Sequence, residues 1–392
     1  MSFSNYRAFV ALAIASIAMT ACGGGVTSIP ASQSLLNNAQ QPLDSGGAMP
    51  ADSTSILKKL TKDVTIGSTV DPGNGDTGPR AIAVVPSKFG KLLKNQILVC
   101  NYDDKAGDVG KGTTLEVLSP AAGSKPKTFV QSSKIEGCAG DAVTSGDQIY
   151  VGAATAKKLV WVNQSGVIKK AYGPPITAPF ADQEAPPLYL YSPVDVWVGN
   201  ANSGGVDTLS LGSYGTGQAK EVINGFPVNK GSGWSALGPS GFAYWCKALP
   251  GQLQCKAHSG TADTLFVADG DCNAVVSIDH ASSLLVKDEI TVQKNCTSFK
   301  CKYPSTSCGK LIASGSPLNK PFAAAILPNG NLVVANTGDN SLVEMMPSGK
   351  VLATKTVDTG NAPAIFGLFA IGTSDSNTAI YYTDTNSNEL HE

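Results

Sequence analysis

A five-residue pattern recurs six times along the chain, as Ile97-Leu-Val-Cys-Asn101, Ile149-Tyr-Val-Gly-Ala153, Val196-Trp-Val-Gly-Asn200, Leu265-Phe-Val-Ala-Asp269, Leu332-Val-Val-Ala-Asn336 and Ile380-Tyr-Tyr-Thr-Asp384. Three bulky β-formers precede a small residue, and five of the six copies then place Asn or Asp. Self-similarity at intervals of about 50 to 70 residues marks a unit that cannot bury its apolar face alone and must stack on its neighbours. Each copy has the same surroundings. An apolar run and a turn precede it, as in Phe322-Ala-Ala-Ala-Ile-Leu before Pro328-Asn-Gly-Asn331, and a polar turn and two more runs follow, as in Leu342-Val-Glu-Met-Met and Val351-Leu-Ala-Thr-Lys-Thr. Four short strands joined by hairpins make one propeller blade. The expected fold is all-β, a six-bladed β-propeller.

The last copy leaves no room for a fourth strand before residue 392, while the run Ile56 to Ile66 looks like the fourth run of copy five. An N-terminal strand is therefore expected to close the ring and remove a sheet edge, giving a propeller over residues 56–392. The small fourth residue of each copy is assigned to crowding where blades converge, and the Asn or Asp after it to capping of the following turn by its own side chain. Asn273, Asn340 and Asn388, four residues further on in copies four to six, point to one shared turn geometry.

The unit Leu265-Phe-Val-Ala-Asp-Gly-Asp-Cys-Asn-Ala-Val-Val-Ser-Ile278 resembles an NHL repeat, and residues 56–392 are similar to the wider group of six-bladed propellers. The resemblance implies a fold much more than an activity. Related propellers house metal-dependent lactonases, lyases and quinone-dependent sugar dehydrogenases, with metal ligands scattered singly along the sequence.

At the N-terminus, Arg7 precedes a run of about 14 apolar or small residues ending in Met19-Thr20-Ala21-Cys22, the layout of a secretory signal. The run is too short to span a bilayer, which needs about 20 residues. Its end resembles a bacterial lipobox, which makes residues 1–21 a lipoprotein signal peptide and Cys22 the acylated first residue of the exported chain. Gly23 in place of Asp implies, by the same resemblance, delivery to the outer membrane. Residues 22–55 are rich in Gly, Ser, Pro, Asn and Gln and nearly free of periodic apolar residues, which fits a flexible tether.

A formal charge of −1 with 15% charged residues excludes a nucleic-acid footprint. Of nine Cys, Cys22 is set aside as the lipid site, leaving Cys100, Cys138, Cys246, Cys255, Cys272, Cys296, Cys301 and Cys308. An even set in an oxidising compartment reads as disulfides; without CxxC spacing, and with three scattered His, a metal cluster is disfavoured. Cys246–Cys255 and Cys301–Cys308 are the preferred local pairs, the rest being left open.

Counting strands a to d outward from the axis, the b–c and d–a loops share one face. The long insertions 101–112, 173–187, 228–241 and 294–320 are assigned to it, and long loops in compact domains tend to be functional. Asn101, Asn200, Asp269, Asn336 and Asp384 are expected to ring that face, either as turn caps or as a cradle for a sugar, lactone or Ca²⁺, since oxygen ligands suit hard cations; no other cofactor is called for. Trp234 and Tyr303 lie in the same long loops as candidate stacking surfaces, and Asp141 is the acid best placed to line the channel. No GxSxG, HExxH, Walker or CxxCH motif is present. The sequence leans toward a monomeric, non-catalytic module on a membrane anchor that binds a protein or glycan, with a metal-dependent lactonase or lyase using the channel as the alternative.

Overall fold

The computed structural model describes residues 52–144, 148–184, 195–210, 217–229, 237–246, 263–284, 286–372 and 377–392. Strand β1 (Thr65–Ser68) comes first in the chain and is used last. Blade one follows as β2 (Thr77–Val84), β3 (Ile97–Asp103), β4 (Thr114–Leu118) and β5 (Lys127–Gln131), and blade two as β6 (Cys138–Val143), β7 (Ile149–Ala153), β8 (Lys158–Val162) and β9 (Ile168–Tyr172). Blade three is β10 (Pro179–Glu184), β11 (Asp195–Asn200), β12 (Gly205–Ser210) and β13 (Ala219–Asn224). Blade four is β14 (Pro239–Cys246), β15 (Asp263–Asp269), β16 (Ala274–Asp279) and β19 (Gly309–Ser314); its c–d connection carries a hairpin, β17 (Ile290–Gln293) and β18 (Ser298–Cys301). Blade five is β20 (Pro321–Ile326), β21 (Leu332–Asn336), β22 (Ser341–Met345) and β23 (Val351–Thr356), and blade six is β24 (Ile365–Ile371), β25 (Ala379–Asp384) and β26 (Glu389–His391), with β1 as its fourth strand. Six sheets in chain order, the last closed by β1 pairing with β26, make a six-bladed propeller.

Each five-residue copy is the b strand of its blade. Its apolar residues are buried between blades: Trp197 of blade three and Tyr244 of blade four, for example, lie with ring centroids 4.6 Å apart. The small fourth residue follows from the same closeness. A Cβ at Gly199 would collide with the Pro239 carbonyl of the next blade, and one at Gly241 with the Phe322 carbonyl of the blade after that. Backbone-to-backbone approach of adjacent blades therefore selects small residues at these positions. The shared turn is equally concrete: Asn273, Asn340 and Asn388 adopt left-handed φ of 50°, 52° and 56°. Their side chains also stitch neighbouring blades, Asn340 accepting from Ala364 N at 2.9 Å and Asn388 from Gly78 N at 2.8 Å.

The closing strand begins later than the 56–66 run predicts. Ile56 and Leu57 are buried in the core of blades five and six, and residues 56–59 form a turn. The cause is Glu344, a fully buried carboxylate on β22. It accepts from Ser55 Oγ at 2.5 Å, Ile56 N at 3.1 Å and Leu57 N at 2.8 Å, with Asn331 Nδ2 at 2.9 Å as a fourth donor. The chain is thus latched to blade five before it crosses to complete blade six.

Among the described residues, three disulfides staple the ring. Cys100–Cys138 ties the b strand of blade one to the a strand of blade two, Cys272–Cys296 ties the b–c turn of blade four to its inserted hairpin, and Cys301–Cys308 closes the predicted short loop. The hairpin extends blade three rather than blade four, because β17 runs parallel to β13, making a six-stranded sheet. The Cys246–Cys255 pairing, Cys22 and the tether up to residue 51 lie outside the described residues. Among the described residues, no helix is long and apolar enough to cross a membrane.

Candidate functional site on the propeller axis

The six a strands surround the axis, and each breaks register with its b strand at its first residues. The irregularities fall between Pro79 and Ala81, Cys138 and Gly140, Pro179 and Ala181, Pro239 and Gly241, Pro321 and Ala323, and Ile365 and Leu368. A bulge inserts an unpaired residue and re-aims its side chain. The six bulged positions are Arg80, Ala139, Phe180, Ser240, Phe322 and Phe366, the last followed by Gly367. Four of them follow a Pro, which in blades three, four and five is the first residue of the strand, where the missing N–H costs no ladder bond.

These residues converge. The Arg80 guanidinium lies over four rings, with Cζ 4.3 Å from the centroid of Tyr102, 4.5 Å from Phe180, 4.7 Å from Phe322 and 4.9 Å from Phe366. Three of the rings are the bulge residues of blades three, five and six, and the fourth is the residue after Asn101 in blade one. Phe322 and Phe366 meet edge to face, 4.9 Å between centroids at 83°. Arg80 is 1% exposed. Burial pushes its guanidinium down to about 10, opposed by Tyr102 and the charge of Asp103, so it remains a cation at neutral pH. A cation over aromatic faces is attracted by the ring quadrupoles, most strongly where water is excluded.

The cage leaves little open volume on the axis. One cavity of about 60 Å³ lies against Arg80, Ser240 and the three Phe, and another of about 90 Å³ lies deeper, walled by Ala142, Tyr244, Ala324 and Phe369. Asp141, buried on β6, is on the wall of both. Asp182 occupies the same register position on β10, pairing with Val198 as Asp141 pairs with Val151.

The Asn and Asp residues that end the b strands are also buried, and their hydrogen bonds are local. Asn101 donates to Thr69 O at 2.8 Å and Thr114 Oγ1 at 3.2 Å; Asn200 accepts from Thr177 N and Ala178 N and donates to Asp207 at 2.6 Å. Asp269 accepts from Asp271 N and Cys272 N, Asn336 donates to Pro317 O and Ser341 Oγ, and Asp384 accepts from Asn386 N and Ser387 Oγ. Each side chain closes its own b–c turn or holds the d–a loop beside it. Among the described residues, the one cluster with metal-ligand spacing is Asp269 with Cys272 and Cys296, whose sulfurs are bonded to each other.

Two further buried acids stand on c strands at equivalent places, opposite the third residue of the b-strand pattern. Burial, with Asp71 and Asp76 nearby, pushes Glu116 up to about 9, and burial pushes Asp207 up to about 7 despite the Asn200 hydrogen bond. Asp71 goes the other way: although buried, it is held low by Glu116, Thr128, Asn74 and Gly73.

The loops distribute differently from the sequence expectation. Residues 104–113 form a b–c loop, and residues 225–229 and 237–238 belong to a d–a connection, on the face where the capping ring lies, but residues 179–184 are strand β10. The Cys-rich segment lies between β16 and β19, making it a c–d insertion on the opposite face. Its Gly309–Ser314 run is blade four's own outer strand, which the cysteine density masked. Tyr303, 46% exposed, goes with that insertion, and Trp234 lies outside the described residues. The residue that sequence reading missed is Arg80. Its signal was present, because the sequence holds only two arginines, and Arg80 is the one beyond the N-terminal segment.

No family model matches this sequence, and no curated protein matches it. Among solved structures, the chain is similar to virginiamycin B lyase from Staphylococcus aureus with quinupristin, at 13% identity over 84% of this chain and 83% of that one, TM-score 0.46. It is also similar to a streptogramin B lyase, at 13% identity over 84% and 96%, TM-score 0.48, and to a gluconolactonase-like protein, at 13% identity over 91% and 96%, TM-score 0.49.

Proposed function

We propose that this protein is a non-catalytic binding module, an NHL-like propeller held in the cell envelope by a lipid on Cys22, that engages a protein or glycan through its b–c and d–a face. The observation that carries this reading is the occupied axis. Arg80 and its four rings fill the place where a propeller would admit a small ligand, and the cavities that remain are far below the roughly 300–1,000 Å³ of typical small-molecule sites. Contact is then left to the surface loops. On that face the 104–113 loop stands out against the four-residue turn 337–340 of blade five, and it carries Asp104, Lys105, Asp108 and Lys111.

The test uses full-length protein with Cys22→Ser, screened for saturable binding to envelope glycans and polypeptides. Replacing 104–113 by the 337–340 turn is expected to abolish capture of the ligand found while leaving the melting temperature within a few degrees. Undiminished capture contradicts the assignment of the face.

One observation favours a second reading. Asp141 is a buried acid on the walls of both axial cavities, as a lactonase- or lyase-like enzyme with a channel metal would need. Lactone turnover that requires added divalent ion and disappears in Asp141→Asn would replace the binding proposal with this one.

A further inference from the structure

A cavity with an apolar wall and the volume of a small ligand lies away from the axis, between the outer parts of blades five and six, under the segment that crosses from one to the other. Residues 57–64 form a strap fixed at both ends: Leu57 N is held by Glu344 at 2.8 Å, and Val64 pairs with Glu392 through two backbone hydrogen bonds of 2.9 Å. Lys355 Nζ donates to Leu60 O at 2.9 Å and the Tyr382 hydroxyl to Asp63 at 2.6 Å, which ties the middle of the strap to each blade. Beneath it is a groove of about 320 Å³. Leu57, Leu60, Leu342, Val357, Ala379 and Ile380 give it an apolar wall, and Lys59, Lys62 and Lys355 stand around it.

We infer that this groove binds a free fatty acid, with the alkyl chain between the blades and the carboxylate among the strap lysines. Size is the first support, since the volume of this cavity reaches the range of small-molecule sites. Charge is the second. The acids that also line the groove are engaged: Asp63 accepts from Tyr382 and faces His391 Nδ1 at 3.3 Å, and the Glu392 side chain shares a hydrogen bond with Tyr381. Lys62 is exposed on the strap and therefore meets an arriving anion first. Position is the third, because the described chain begins at Asp52, just before the strap, and, on the proposed anchoring, about 30 residues separate it from the membrane. The inference stands on the groove and goes beyond the proposed function: the surface lies on the flank of the ring, so failure at the loop face would not touch it.

The experiment is a fluorescence-displacement titration of full-length Cys22→Ser protein with saturated fatty acids of eight to fourteen carbons and the matching alcohols. Affinity is expected to rise about fourfold per methylene until the groove is full. Lys62→Glu should weaken the acids at least threefold and leave the alcohols unchanged, while Ala379→Phe, which fills the groove, should weaken both tenfold with an unchanged melting curve. Should Ala379→Phe unfold the ring, Val357→Phe takes its place. Absence of saturable binding, or binding indifferent to both Lys62→Glu and the groove-filling variant, overturns the inference. Fatty-acid binding that is absent unless Leu35 and Leu36 are both replaced by Ser would assign the groove to the tether's own leucines and overturn it as well.

Discussion

Two six-membered rings of equivalent positions lie on this propeller, and they behave in opposite ways. The ring at the ends of the b strands is nearly uniform, Asn or Asp in five blades, and those side chains are spent on local turns and loops. The ring at the a-strand bulges reads Arg80, Ala139, Phe180, Ser240, Phe322 and Phe366, and of these Arg80 and the three Phe depend on one another across the axis. A device repeated in every blade solves a problem that every blade has, such as the turn after strand b. Departure from the repeat marks a position that answers to the whole ring. Regularity thus identifies scaffold, and the irregular ring identifies where this propeller differs from any other.

The largest effect expected from this contrast is at the axis. Arg80→Ala removes a side chain from among four rings and leaves a void, and should cost about 3–5 kcal/mol in denaturant unfolding. Arg80→Met keeps much of the volume and removes the charge, so its loss should be nearer 1–2 kcal/mol, the size of a desolvated cation–π contact. Equal losses in the two variants would show that the cage holds charge rather than shape.

Proton linkage gives the next effect. Glu116, Asp207 and Asp269 have folded-state values of about 9, 7 and 7, raised chiefly by burial. Above about pH 4 an unfolded chain has lost these protons while the folded one keeps them, so stability falls as pH rises through this window and levels off above the folded-state values. Asp71, held low, acts in the opposite sense and supports the fold above the ordinary carboxylate range, losing that support as pH falls below it. The melting temperature is therefore expected to peak in mildly acidic solution and to be higher at about pH 5 than at about pH 8. Glu116→Gln should remove the part of the decline between about pH 7 and pH 9.

Smaller effects belong to the uniform ring. Asn336→Ala strands the Pro317 carbonyl, while the Ser341 hydroxyl keeps its bond to Asp339, and should cost about 1–2 kcal/mol without altering ligand capture by the loop face. Smallest is Asn273→Gly. It loses the stitches to Leu318 and Lys320 but relieves a left-handed residue, so the net change should stay under about 1 kcal/mol, with Asn273→Ala clearly worse.

The uniform ring was legible in the sequence for the reason that makes it structural. Six copies of one pattern betray the blade count, the b strands, the crowding that makes Gly199 small and the turn that makes Asn273 left-handed. The irregular ring was harder to read, because a bulge residue is defined by register between strands and not by its type. A weaker repeat did point to it, a Pro followed two residues later by Ala or Gly, as in Pro79-Arg-Ala, Pro179-Phe-Ala, Pro239-Ser-Gly and Pro321-Phe-Ala. The strap was misread as one strand because Ile56 and Leu57 have the apolar character of a strand but are buried through a contact with Glu344, 288 and 287 positions away. The Cys-rich insertion was misplaced because cysteine spacing says nothing about which sheet a hairpin joins.

The central claim, that the axis is closed by a caged arginine, has a direct test in the scarcity of that residue. In protein processed at Cys22, labelled with ¹⁵N-arginine, Arg80 should give the single side-chain Nε–H signal. Ring currents from four aromatic faces should move it well upfield of free arginine, and its exchange with solvent should be slow. An unshifted, rapidly exchanging signal would mean that the guanidinium is in water and the axis open, which contradicts the account.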